Sequence, residues 1–380
     1  MSKKLKIIAT AKQLGSVHAI APVVESLIKK GHDVTVYATG NSNEHLGFRD
    51  IPHHKFQPKK SDYPKLVKGF DIAIMGLSGY ETPDGYFLRA ANQAKIPSIG
   101  IQDLDSGYLH RLGNNPENFP TILAVMNKRC LETIANEFRK AGKGDIGKEL
   151  ASRAKIIGWT AFDNYGELKN NFSEEDKKAL LKKLNLNHEK KINVHFTQNI
   201  HPNSEYMKKI TWTLEEKKQD FEYEMKLTEA VFKTASDMKL KLIVKPHPGE
   251  TFHTNYTLDL VKKHNFIYLP AKSCDTKQLI IASNSFTAGR STCLTEACLL
   301  DKNTGGILPD LDYEEIRAFP PIELNAIPYT TSWREPIIAS VINLITSNNK
   351  KDIQMLAKER KAFSVDGNAS KRLVDLIESL

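Results

Sequence analysis

At 380 residues the chain exceeds what one hydrophobic core ordinarily organises, so two domains are expected. Hydrophobic residues make up 40% and charged residues 26%, and no apolar run approaches the ~18 residues of a membrane span, which points to a cytoplasmic protein. A formal net charge of +9 favours anionic partners (phosphates, acidic glycans, the anionic inner face of a membrane), while no zinc-finger, basic-zipper or ribonucleoprotein motif supports nucleic acid as a partner.

Residues 5–10 (LKIIAT) read as a buried strand, and 18–30 put Ile20, Val23, Val24 and Leu27 on one helical face before Gly31 ends the helix. The β-branched run 33–38 is the next strand. Further strands are expected at 70–76, 97–101 and 121–126, with helices near 83–94 and 128–141. Residues 154–165 read as one more strand followed by a turn, and Ser173 caps a polar helix at the expected crossing between domains. A second series then runs through strand 191–197, helix 214–238, strand 240–245, helix 253–264, strands 265–269 and 279–283, a helix after 291 and strand 304–308. Helices at 334–346, 350–362 and 369–379 follow. Strands alternating with helices of this length predict parallel sheets. The expected fold class is α/β, with two Rossmann-like doubly wound domains facing across a cleft. The first takes residues 1–165 and the second 166–362, and the helix within 363–380 is placed to pack back on the first domain.

Chemistry is expected at the carboxyl edges of these sheets, where open α/β proteins bind ligands. After the first strand, Gly15 permits close backbone approach at a helix opening, and His18 is either an acceptor-activating base or a capping, merely polar histidine. Asp103 and Asp105, in the loop after 97–101, are alternative bases, with Glu81 and Asp84 weaker ones. In the second domain, Lys245, His247 and Pro248 form a stiff strand-end turn fit to meet a phosphate. Gly289, Ser291 and Thr292 open a helix in the manner of a phosphate site, and Glu296 one turn on is placed to accept ribose hydroxyls. His195, Gln198 and Asn199 lie near the end of the second domain's first strand and are placed to touch the same ligand, whereas Trp212, Phe221 and Tyr223 read as packing. Cys130, Cys274, Cys293 and Cys298 lack ligand spacing, and no carboxylate pair or histidine pattern suits a metal, so neither metal nor cofactor is expected.

The segment GSVHAIAPVVESLIKKGHDVTVYATG (15–40) resembles the opening of GT-B glycosyltransferases, where a Gly/His loop, a Pro in the following helix and a GH-x-VT strand recur. His18 matches the position that serves many inverting members as base. KPHP (245–248) and the Ser-Thr/Glu-Ala segment 291–297 are similar to donor-site elements of the superfamily. IIGWTAFDNY (156–165) and VDGNASKRLVDLI (365–377) resemble its interdomain strand and its carboxy-terminal helix. The superfamily also holds UDP-N-acetylglucosamine 2-epimerases, but their Arg-Pro, acid-loop and DSGG-QEE patterns are replaced here by Gln13-Leu14, Gln102-Asp103 and Gly289-Arg290-Ser291. His247-Pro248 with Ser291-Thr292 is similar also to bacterial sialyltransferases. The resemblance implies a metal-independent glycosyltransferase that moves a sugar from a nucleotide-sugar donor, of UDP or CMP/CDP type, to a hydroxyl of a glycan or lipid-linked acceptor. A nucleotide-sugar 2-epimerase or hydrolase, or a non-catalytic nucleotide-sugar-binding protein, is the alternative.

Overall fold

The structure is a computed structural model that describes residues 3–12, 14–39, 42–48, 50–55, 59–103, 106–187, 191–198, 200–204, 207, 213–247, 250, 254–271, 273–289, 291–308, 320–346 and 365–380. The chain divides into two compact units, Met1–Glu167 with Ala362–Leu380, and Leu168–Lys361.

The first unit is built on seven parallel strands, β1 (Lys6–Ala11), β2 (Asp33–Ala38), β3 (His54–Lys55), β4 (Ile72–Gly76), β5 (Ser98–Ile101), β6 (Ile122–Val125) and β7 (Ala154–Ile156). Their order is β3-β2-β1-β4-β5-β6-β7. Helices α1 (Leu14–Lys29), α2 (Ser42–Phe48), α3 (Tyr63–Leu66), α4 (Pro83–Gln93), α5 (Tyr108–Leu112), α6 (Lys128–Lys140) and α7 (Gly144–Ser152) connect them, and α8 (Tyr165–Asn171) carries the chain out of the unit. β1 is buried from Ile7 to Ala11 because both faces are covered. One face packs Ile20, Val23, Val24 and Leu27 of α1 against Ile7, Ile74 and Ile99. The other packs Phe87, Ile134 and Phe138 of α4 and α6 against Ile8, Met75 and Leu123.

A helix from the far end of the sequence, Ala369–Glu378, completes the first of these layers with Leu373, Val374 and Ile377. Its opening N–H groups, at Ala369 and Ser370, are accepted by the two carboxylate oxygens of Asp163 at 2.8 and 2.5 Å. Arg372 donates to the Ile157 carbonyl at 2.7 Å, and Glu378 bonds Lys30 at 2.7 Å and the His32 ring at 3.0 Å.

The second unit opens with α9 (Glu174–Lys183), whose cap is Ser173 as its sequence predicts, in a reciprocal box with Asp176. Six parallel strands follow, β8 (Asn193–Thr197), β9 (Leu242–Pro246), β10 (Ile267–Tyr268), β11 (Ser285–Ala288), β12 (Asn303–Ile307) and β13 (Tyr329–Thr330), in the order β10-β9-β8-β11-β12-β13. The connecting helices include α10 (Leu214–Asp237), α11 (Thr254–Lys263), α12 (Thr276–Ala282) and α13 (Cys293–Leu299), followed later by the helix Glu335–Thr346. Both sheets wind outward in two directions from their first strand, so each has a topological switch point, at β1/β4 in one and β8/β11 in the other.

One element differs in kind from expectation. Residues 279–283 are not a strand: Leu279–Ala282 end α12, which Asp275 caps by accepting from Lys277 and Gln278 N–H at 2.7 and 3.4 Å. The strand comes later, at Ser285–Ala288. A run of four apolar residues, all buried, suits a covered strand and a covered helix equally. The expected helix at 350–362 lies outside the described residues. No helix among the described residues is long and apolar enough to cross a membrane.

Candidate functional site

At the first switch point, Asp84 is fully buried in the opening turn of α4. It accepts the Thr10 hydroxyl from β1 at 2.8 Å and the Ser78 hydroxyl, just beyond β4, at 2.6 Å. Ser78 meets the hydroxyl of Ser16, in the opening turn of α1, at 3.3 Å. Burial pushes Asp84 up to about 6, against the lowering effect of the two hydroxyls and of Lys12. Gly76 at the end of β4 makes the approach of α1 possible, because a Cβ there would overlap that of Ser16.

Gly15 does the same for Asp103: a Cβ at Gly15 would overlap the Asp103 carboxylate. Asp103 is 6% exposed and ion-paired with Arg111, which also donates to the Leu77 carbonyl at 2.5 Å. Gln102 beside it donates to the Ser106 carbonyl at 2.8 Å. His18 is half-buried on α1, three residues beyond Gly15 and so on the same helical face. Pro22 has no N–H to offer the carbonyl at His18, and the neighbouring Ala19 carbonyl accepts the Thr160 hydroxyl. The structure thus gathers Gly15, His18 and Asp103 at one helix opening. Asp105 lies outside the described residues. Glu81 is exposed, bonded to Tyr86 at 2.9 Å and Lys60 at 3.3 Å, and those bonds hold its carboxyl below the usual range.

In the second unit the turn after β9 is held by a residue to which sequence reading gave no role. Glu250, 4% exposed, accepts the Thr197 hydroxyl at 2.7 Å and the His247 N–H at 3.0 Å, with Thr257 at 3.3 Å on its other oxygen. The His247 N–H also reaches the Thr197 carbonyl at 3.1 Å. Burial first, and the Lys245 charge second, push the His247 imidazole down to about 4, so it is neutral at physiological pH. The Lys245 ammonium itself is turned inward, 2.6 Å from the Ala271 carbonyl and 5.4 Å above the Phe196 ring, and burial lowers its pKa. Pro248 lies outside the described residues.

Across the end of β8 from this turn, β11 delivers Gly289. A Cβ at Gly289 would sit 3.3 Å from a carboxylate oxygen of Glu224, which α10 buries at the sheet edge. Ser291 N–H bonds back to the Gly289 carbonyl at 2.8 Å, and its hydroxyl accepts the Cys293 N–H at 3.3 Å, so Ser291 closes the opening of α13. Thr292, at the cap position, makes no side-chain cap bond and is exposed. Glu296 stands one turn on, partly exposed, with its N–H bonded to the Thr292 carbonyl at 3.1 Å.

His195 corrects an expectation. It lies in mid-strand rather than at the edge, 3% exposed, with its ring bonded to the Thr287 hydroxyl at 2.9 Å and set edge-on to Phe232. Burial pushes it down to about 4, so it is a neutral core histidine bridging β8 and β11. Gln198 is half-buried just beyond β8, and Asn199 and Trp212 lie outside the described residues. Tyr223 packs edge-on to Trp333, and Phe221 lies edge-on to His201. Among the described residues no cluster of His, Cys, Asp or Glu has a metal-binding arrangement. Thr10, Ser16, Ser78, Arg111, Glu224 and Glu250 carried no local signal: each takes its place from partners remote in sequence or from the turn of a sheet edge.

No family model and no curated protein matches the sequence. Solved structures do. The chain is similar to a Listeria monocytogenes protein assigned as a UDP-N-acetylglucosamine 2-epimerase (TM-score 0.67, 14% identity, 99% of this chain and 96% of that one). It is similar to the Neisseria meningitidis UDP-GlcNAc 2-epimerase bound to UDP-GlcNAc (0.65, 13%, 99% and 100%). A glycosyltransferase from Rickettsia africae is a third such structure (0.62, 12%, 99% and 98%). With two Rossmann-like units in tandem and these matches running the length of the chain, the protein has the GT-B fold.

Proposed function

We propose that the protein is a metal-independent glycosyltransferase that moves a sugar from a nucleotide-sugar donor to a hydroxyl of a glycan or lipid-linked acceptor. The observation that carries this reading is the β8/β11 edge. There a neutral His247, latched to Thr197 through the buried Glu250, and the glycine-opened Gly289–Ser291 turn flank the end of one strand. A neutral imidazole on one side of the strand end and the Ser291 and Thr292 hydroxyls on the other suit the negative charge that develops on a departing phosphate. That a structure of the same fold, the Neisseria epimerase, is bound to UDP-GlcNAc supports the ligand class.

In this reading the bond between the sugar's anomeric carbon and the donor phosphate breaks as the acceptor oxygen bonds to that carbon. His247, Ser291 and Thr292 receive the charge of the leaving phosphate, Glu296 accepts ribose hydroxyls, and His18 removes the acceptor proton. Asp103 serves the site through its place against Gly15, since its carboxylate is already paired with Arg111. The excess of basic residues fits an anionic acceptor or membrane surface.

Epimerisation is the second reading, supported by the presence of UDP-N-acetylglucosamine 2-epimerases among the structures of the same fold. Incubation with UDP-, CMP-, CDP-, GDP- and TDP-linked sugars separates the two. A bound donor at a hundred times its Kd raises stability by about 2.7 kcal/mol, visible as a shift in Tm. Transfer predicts nucleotide release only when an acceptor is present, and His247→Ala should slow it about a hundredfold in a protein that still folds. Conversion of the donor sugar without acceptor would overturn transfer in favour of epimerisation, and no stabilisation by any donor would remove both.

A further inference from the structure

Asp84 is a wholly buried carboxylate that accepts the hydroxyls of Thr10 and Ser78 and the backbone N–H of Ser78. Among the described residues, Lys12 at the end of β1 and Tyr63 on α3 are the titratable groups whose charge bears on it, and the Ser78–Ser16 pair faces it from the segment after β4 and from α1. Asparagine would fill the same space without a buried charge, so the charge asks for a reason. A carboxylate only accepts. Thr10 and Ser78 must therefore both donate to it, at 2.8 and 2.6 Å, and with its single proton committed the Ser78 oxygen accepts from Ser16 at 3.3 Å. The direction of the relay from Ser16 to Asp84 is thus set by the charge. Ser16 is itself 0% exposed, wedged against Gly76 in the turn of α1 that also carries Gly15 and leads into His18.

We propose that Asp84 is a positioning residue of the transfer site, whose anion orients Ser78 and Ser16 and thereby fixes the opening turn of α1 that presents His18 to the acceptor. The role of His18 rests on the transferase reading; the orientation of the turn does not. Burial brings Asp84 to about 6, so the anion forms and is lost close to neutrality.

The experiment follows the backbone amide signals of Ser16 to Ala19 in ¹⁵N-labelled protein from pH 5 to 8. A single step with its midpoint near 6 is expected; it should persist in His18→Ala and vanish in Asp84→Asn. In transfer assays Asp84→Asn should lower kcat by roughly ten- to a hundredfold while donor affinity stays within about twofold, the mark of lost positioning rather than lost donor binding. Should Asp84→Asn not fold, Ser78→Ala cuts the relay and leaves the carboxylate, and a similar fall in kcat is expected. No step in the wild type, a step that survives Asp84→Asn, or undiminished kcat in Ser78→Ala overturns the inference. A wild type that transfers no sugar yet shows the step, lost in Asp84→Asn, removes the function while leaving the orienting role of Asp84 standing.

Discussion

Asp84 and His195 are both buried and titrate away from their usual ranges in opposite senses. Asp84 rises from 3.8 to about 6. The folded state therefore holds its proton more tightly than the unfolded chain, and the resulting stability is present below pH ~4 and lost as pH rises through ~6. His195 falls from 6.5 to about 4, so its contribution is present above pH ~6.5 and lost as pH falls toward ~4. Each is worth about 3 kcal/mol at ~1.4 kcal/mol per unit. Between pH 4 and 6.5 they oppose one another. Tm measured across that range should climb more steeply with pH in Asp84→Asn than in the wild type, and less steeply in His195→Gln; parallel curves in all three would refute the assignment. Neither setting was legible in the sequence. Asp84 takes one of its bonds from Thr10, 74 residues away, and His195 reads as a strand-end residue until the register with Thr287 is known.

Elements whose signal is local were read well, and those made by their neighbours were not. β1, β2 and α1 announce themselves through a short apolar run, a β-branched run, a helical stripe and the closing Gly31. The two-residue strands β3 and β13 exist only as edge pairings, at Tyr37–Ala38 and Gly306–Ile307, and carry no pattern of their own. α12 departs from the expected strand because its buried run suits either structure, although Asp275 stands at its start as a cap signal. Asp275→Ala should accordingly lower the stability of the protein by about 1 kcal/mol in urea unfolding. A change near zero would mean that packing of Leu279 and Ile280 alone holds that helix. At the two switch points, the glycine turns at 15 and 289 are legible because glycine marks close approach, while Glu224 and Glu250 are ordinary acids until folding buries them.

The first unit is discontinuous, since the helix Ala369–Glu378 returns to it from beyond the second. Leu373→Ala, at a side chain with 0% exposure, should destabilise that unit by about 2–5 kcal/mol, seen as an earlier unfolding step. An unchanged transition would show the helix to be dispensable. The Asp163 carboxylate that receives the returning helix stands just before α8, where the chain first departs, so one side chain marks both exits. This has a consequence for how the molecule is born. On the ribosome the Leu168–Lys361 unit is finished first, although its neighbour began earlier, because a nascent 1–167 segment must wait, without the layer of Leu373, Val374 and Ile377, for more than two hundred further residues to be translated. Chaperones that shield apolar nascent chain have their longest appointment with the face of α1 that the returning helix covers.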